Sequence, residues 1–346
     1  MLDQQAKAKA LAVAAFFTIA GCASNGAPNV PEAGPAAAGL ERTTAQTSGL
    51  TIPYFESSFI YERQAYTYKM VGTNPKGKAA TTTIPVEIVP VRFTFSNGVS
   101  LDASGVAASL PKSPLFNNSA FDAGSMQFTD AVMRSEFWKY TSKKNYHVLL
   151  GKPSIAATVT VPVPSSDGYT SRTAHGAMEG YVAYDWFILT IEPSIIHQLG
   201  IPPTTFTLFP TYNTNVLEEG GYCCYRGYHQ AFPVAGASGT QIWTTAWASV
   251  TSKEMVALSH EISEWLNDPF YNNIVPSWIE PQDPAVCGGN LLEVGDPVTR
   301  HRFKSGGFAL QDEAFFSWFS RQSPSIGFDG RYDLLGKLHG PAKSCP

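Results

Sequence analysis

Three residues within five positions, His260, Glu261 and Glu264, carry the clearest chemistry in this sequence. Imidazole nitrogens and carboxylate oxygens both bind divalent metal ions. On an α-helix, residues four apart lie one above the other on the same face. His260 and Glu264 could therefore grip one ion together. Glu261, one step round the helix, would flank that ion and accept a proton from a water beside it. The chemistry implied is metal-assisted hydrolysis. A serine-hydrolase reading has less behind it: no Gly-x-Ser-x-Gly elbow occurs, and the seven histidines carry no further local signature.

Those side chains need a helix, and the sequence predicts one over residues 252–267. Thr251-Ser252-Lys253-Glu254 fits a capping box, with hydroxyl and carboxylate each satisfying an orphan backbone amide. Met255, Leu258, Ile262, Trp265 and Leu266 gather on one face, with His260 and Glu264 opposite. Asn267-Asp268-Pro269 ends the helix, because proline disfavours helical geometry in the residue before it. A polar face opposite an apolar one is also how an ordinary solvated helix reads. The stretch before the helix, residues 241–250, has strand character and could pair with an extended substrate. Trp243 and Trp247 would serve there as core or cleft residues.

Elsewhere the pattern is strand-rich. Residues 66–95 read as strands, with residues 81–95 alternating β-branched and apolar residues interrupted by Pro85 and Pro90, and Ser96-Asn97-Gly98 forms a turn. Residues 146–150, 155–162, 181–191 and 206–209 are further strand candidates. Residues 130–140 and 312–320 read as short helices. Residues 218–229 are turn-rich. A soft boundary near residue 215 would divide a mostly β region, 50–215, from an α+β region, 216–346, holding the candidate site.

The 346 residues suffice for a sizeable core. Charged residues make up 15% and the net charge is −4 with no basic stripe, which gives no electrostatic case for nucleic acid. The first 22 residues read as a secretory signal. Lys7 and Lys9 precede an apolar run too short to span a bilayer, and Ile19-Ala20-Gly21-Cys22 resembles a bacterial lipobox, in which Cys22 is lipidated. Ordinary cleavage near Ala23 is the alternative. Residues 23–49, rich in Ala, Gly, Pro, Ser and Thr, have tether composition. The expectation is export, as an envelope lipoprotein or a secreted protein, with membrane contact only through the lipid. Cys223, Cys224, Cys287 and Cys345 then form disulfides. Adjacent cysteines fit disulfide geometry with each other badly, so Cys223 and Cys224 are each expected to bond one of Cys287 and Cys345.

His260-Glu261-x-x-Glu264 resembles the zincin active-site helix, His-Glu-x-x-His, with glutamate in place of the second histidine. The order His-Glu-x-x-Glu, Asp268-Pro269, Trp278 and Glu293-x-Gly295-Asp296 is similar to that of exported bacterial proteins with a zincin-like arrangement. This resemblance implies a zinc peptidase in which His260, Glu264 and Glu293 hold Zn²⁺ and Glu261 is the general base acting on a peptide or protein. Asp296 would bind metal or orient His260, and Asp268 and His229 are alternative ligands. A Ca²⁺ version, using Asp268, Glu293 and Asp296, would be structural. The landmarks Cys223, Cys224, His229, Asn267-Asp268-Pro269-Phe270, Cys287 and Cys345 also resemble, distantly, the plant phosphate-induced (Exordium) proteins, which implies an extracellular scaffold and no activity. The fold expected is α+β: a strand-rich N-terminal part and a zincin-like C-terminal part built round one helix and stapled by disulfides. The competing functional class is a non-catalytic envelope protein that binds glycan or a protein partner, its metal site empty or structural.

Overall fold

The strand Gly239–Ser249 is the axis of the fold. Its side chains alternate, as a strand requires. Trp247 enters one core, while Ala246 and Ala248 enter another on the opposite face. Phe206–Thr211 runs parallel to it on one side, and Gly227–Gly236 runs antiparallel on the other. Val86–Ile88 and Ser154–Ile155 complete a five-stranded mixed sheet. The computed structural model describes residues 49–218, 223–236, 239–251 and 253–346. The residues read from sequence as a signal and, up to residue 48, as a tether, with Cys22, lie outside them. Among the described residues, no helix is long and apolar enough to cross a membrane.

The fold is mixed α+β and strand-rich. The site helix, Val256–Asn267, lies on one face of the sheet with Leu258, Ile262, Trp265 and Leu266 fully buried. Trp265 stacks on Phe206 of the sheet at 3.6 Å between ring centroids. The hairpin Tyr54–Tyr61/Gln64–Val71 and the helix Phe128–Glu136 add Phe55, Met70, Val132 and Met133 to the same core. The other face is covered by Phe187, Ile188, Ile195 and Ile196.

Several expectations need correction. No core boundary falls near residue 215. Strands from both sides of that point share the central sheet, and one apolar cluster runs from Ile52 to Ala342. Residues 181–191 are not one strand: Met178–Ala183 is extended, and the chain then coils helically through Leu199. An apolar run this short has no periodicity that separates strand from helix. Helical structure in 312–320 is confined to Phe316–Phe319, because Ala314 pairs with Asp333 in a bridge. The expected capping box, whose Ser252 lies outside the described residues, does not mark the helix start, which is at Val256 with no side-chain cap on Met255. Lys253–Met255 instead lies along Ala309, with the Met255 amide donating to the Ala309 carbonyl and the Ala309 amide to that of Lys253.

The cysteine pairing also differs. Cys287 bonds Cys345, with 5.7 Å between their Cα atoms, and Cys223 pairs with Cys224. The C-terminal segment lies beside Ile274–Ile279, where the Ile279 amide donates to the Lys343 carbonyl. That contact delivers Cys345 to Cys287 and leaves neither for the adjacent pair.

Candidate metal centre

The site helix has three faces, and all of them are largely enclosed. One is the apolar stripe. The second, Ser259, Ser263 and Asn267, is a column of small polar residues that donate side-chain hydrogen bonds back to carbonyls one turn earlier. The third carries His260, Glu261 and Glu264. The two glutamates are 6% and 3% exposed, which excludes the solvated-face reading.

Two segments meet this third face. The edge strand Gly227–Gly236 brings His229 to the helix side of the sheet, opposite Ala246. The loop after Cys287–Leu291 brings Glu293, Gly295 and Asp296. His229 Nδ1 lies 3.5 Å from both Glu261 Oε2 and Glu264 Oε2. His260 Nε2 lies 3.1 Å from Glu264 Oε1, 4.0 Å from Glu261 Oε1 and 3.7 Å from Asp296 Oδ1. Two groups of mutually close donors result: His229, Glu264 and Glu293, and His260, Glu261 and Glu264.

Of the residues singled out from sequence, His260, Glu261, Glu264, Glu293, Asp296 and His229 converge here. His260 and Glu293 are not members of one close group. His229 takes the place beside Glu293 and Glu264. Asp268 is engaged elsewhere, since its two oxygens accept the amides of Asn272 and Asn273 and close the turn after the helix. Among the described residues, Asp268, Glu293 and Asp296 do not form one of the close donor groups.

Glycines permit the close approach. A Cβ on Gly295 would collide with the His260 ring, and one on Gly227 with the Glu261 carboxylate. The Gly295 amide donates to Glu264 Oε1 at 3.2 Å. Gln311 Nε2 is 2.8 Å from both the Gly295 carbonyl and His260 Nδ1, so Nδ1 accepts and a ring proton sits on Nε2. Protonation of the ring, or metal binding at Nε2, places a hydrogen on Nδ1. A half-turn of the Gln311 amide then presents Oε1 to it, at the cost of the hydrogen bond to the Gly295 carbonyl. Tyr271 packs edge-on against His229 with 5.5 Å between ring centroids. Gly227, Gln311 and Tyr271 went unnoticed in the sequence. Only Gly227, in the turn-rich stretch beside His229, left any signal there.

The charges are unevenly matched. Burial opposes protonation of both histidines, but Glu293, Glu261 and Glu264 around His229, and Glu264, Glu261 and Asp296 around His260, raise both well above the ordinary range. Burial also lifts Glu261 and Glu293, and lifts Asp296 to about 7. Burial presses Glu264 the same way, yet His260 and His229 hold it below the usual carboxylate range. The pocket thus demands positive charge.

A metal ion suits this donor set. Zinc bonds of 2.0–2.2 Å put two tetrahedral ligands about 3.3 Å apart. The 3.5 Å spacings of His229 are long for hydrogen bonds and close to that edge. His229 Nε2 and Glu293 Oε1 are buried without a hydrogen-bond partner. His260 and Glu261 also border a cavity of ≈ 610 Å³ whose lining includes Cys224, Tyr225, Arg226, Gly227, Thr299 and Arg302. Comparison with protein-family models, curated proteins and solved structures finds no match.

Proposed function

We propose that this protein is an exported metal-dependent hydrolase, peptidase-like, with zinc held at Glu264. The observation that carries the reading is the convergence of His229, His260, Glu261, Glu264 and Glu293 on one buried pocket at metal-ligand spacing, beside an open cleft. Zinc bound there would supply Lewis acidity to a carbonyl and lower the pKa of water.

The chain's own residues supply the rest. Glu261 sits between the two histidines, and burial raises its proton affinity, as suits a carboxylate that takes a proton from an attacking water and returns it to the leaving amine. Gln311 and Gly295 set the His260 ring, and the Gly295 amide sets Glu264. An extended substrate would lie against Gly227–Gly236. Both edges of Gly239–Ser249, the strand first considered for this role, are occupied, whereas Gly227–Gly236 ends the sheet beside the cleft. The secretory segment and the Cys287–Cys345 bond support export.

The test is elemental analysis of the purified protein, together with peptide-panel assays of the wild type and Glu261→Gln. Bound zinc and a roughly 10²–10⁴-fold loss of turnover in the variant are expected. Equal activity in the two proteins sinks the peptidase reading. Bound metal with no hydrolysis of any peptide favours the non-catalytic envelope protein.

A further inference from the structure

Glu264 faces two histidines, not one. Its Oε1 points to His260 Nε2 at 3.1 Å and its Oε2 to His229 Nδ1 at 3.5 Å. The two close donor groups share this carboxylate, with Glu293 and His229 in one and His260 and Glu261 in the other. We propose that the pocket holds two divalent cations bridged by Glu264, one bound by His229 and Glu293, the other by His260 and Asp296, with Glu261 between them. This rests on the metal-site reading above.

The excess of carboxylates favours bound cations. Glu261, Glu264, Glu293 and Asp296 converge here, and the ion-pair partners of Glu261, Glu264 and Asp296 among the described residues are the two histidines. Buried Glu313 and Asp268 also couple to these histidines and to Glu264, so carboxylates outnumber the cationic side chains around the pocket. Uncompensated buried charge is strongly unfavourable. The geometry agrees. A carboxylate with its two oxygens directed to different nitrogen donors is arranged to bridge, and paired metals in hydrolytic sites sit about 3.5–4 Å apart. His229 Nε2 and Glu293 Oε1 are buried without a hydrogen-bond partner, and both residues belong to the donor group that does not include His260.

Metal content separates this proposal from the reading it rests on. The full chain is stripped with chelator, equilibrated with zinc sulfate, desalted and measured by plasma mass spectrometry. Two zinc per chain are expected, falling to one in His260→Ala and one in His229→Ala, with far-UV circular dichroism checking that each variant is folded. One zinc in the wild type overturns the bridged pair and leaves a single-metal site. None overturns both. A second measurement needs no variant: Mn²⁺-loaded wild-type protein should give the broadened electron paramagnetic resonance signal of exchange-coupled ions. An isolated six-line spectrum at saturation overturns the bridge.

Discussion

Gly295 leaves no room for a side chain: any Cβ there meets the His260 ring. Gly295→Ala should therefore push the imidazole off Glu264 while leaving the apolar core intact. Zinc affinity, measured by competition with a chromophoric chelator, should drop about 10–100-fold, as for other groups that orient a ligand. Gln311 acts on the same ring from Nδ1. Gln311→Ala should cost a similar factor, and Gln311→Glu, which keeps an acceptor for Nδ1–H, should recover part of it. A separate buried carboxyl, Glu192, tests burial alone. It is fully enclosed on the opposite face of the sheet, accepts hydrogen bonds from Gln230 and Thr245, and burial raises its pKa to about 8. Below about pH 4.5 it is protonated both folded and unfolded. As pH rises towards 8, the unfolded chain loses the proton while the folded chain must keep it, so stability falls across that window. Glu192→Gln should remove this contribution. The difference in melting temperature in the variant's favour should grow from pH 5 to 8 and level off above. A constant difference over that range would count against the buried-carboxyl account.

At the scale of elements, the site helix is held from all sides. Its apolar stripe and its stop at Asp268 were legible in the sequence, since both follow from spacing and from proline at position 269. Its start was not. Segment 253–255 pairs with Ala309, a partner more than fifty residues away that no local motif announces. The Ser259, Ser263 and Asn267 column was equally hidden. Small polar residues look neutral until a hairpin packs on them, here with the Gln311 amide donating to Ser259 Oγ. Trp265 anchors the helix to the sheet through Phe206. Trp265→Ala should cost about 3–5 kcal/mol, read by chemical denaturation. It should also weaken metal binding, because Glu264 is its neighbour on the helix.

Across the whole molecule, the two disulfides should contribute unequally. Cys287–Cys345 spans 58 residues, and closing such a loop restricts the unfolded chain by about 4 kcal/mol. Cys223–Cys224 joins neighbours and closes no loop of consequence. Replacing Cys287 and Cys345 with serine should lower the melting temperature by many degrees. Replacing Cys223 and Cys224 should leave it nearly unchanged, with any effect seen at the cleft that Cys224 lines. Equal shifts in the two double variants would contradict this ranking.

Sequence alone determined the helix that bears His260, Glu261 and Glu264, because facial spacing and a proline stop are local properties of the chain. It also determined that Glu293 and Asp296 belonged among the candidates. Only tertiary structure decided which donors meet. His229 arrives on an edge strand whose register is set by Gly239–Ser249, and Asp268 is diverted to backbone amides. Cysteine pairing and the merging of both halves into one sheet were decided at the same level. Each depends on contacts between segments far apart in the chain, and those contacts are chosen by burial of the whole core and not by any local pattern.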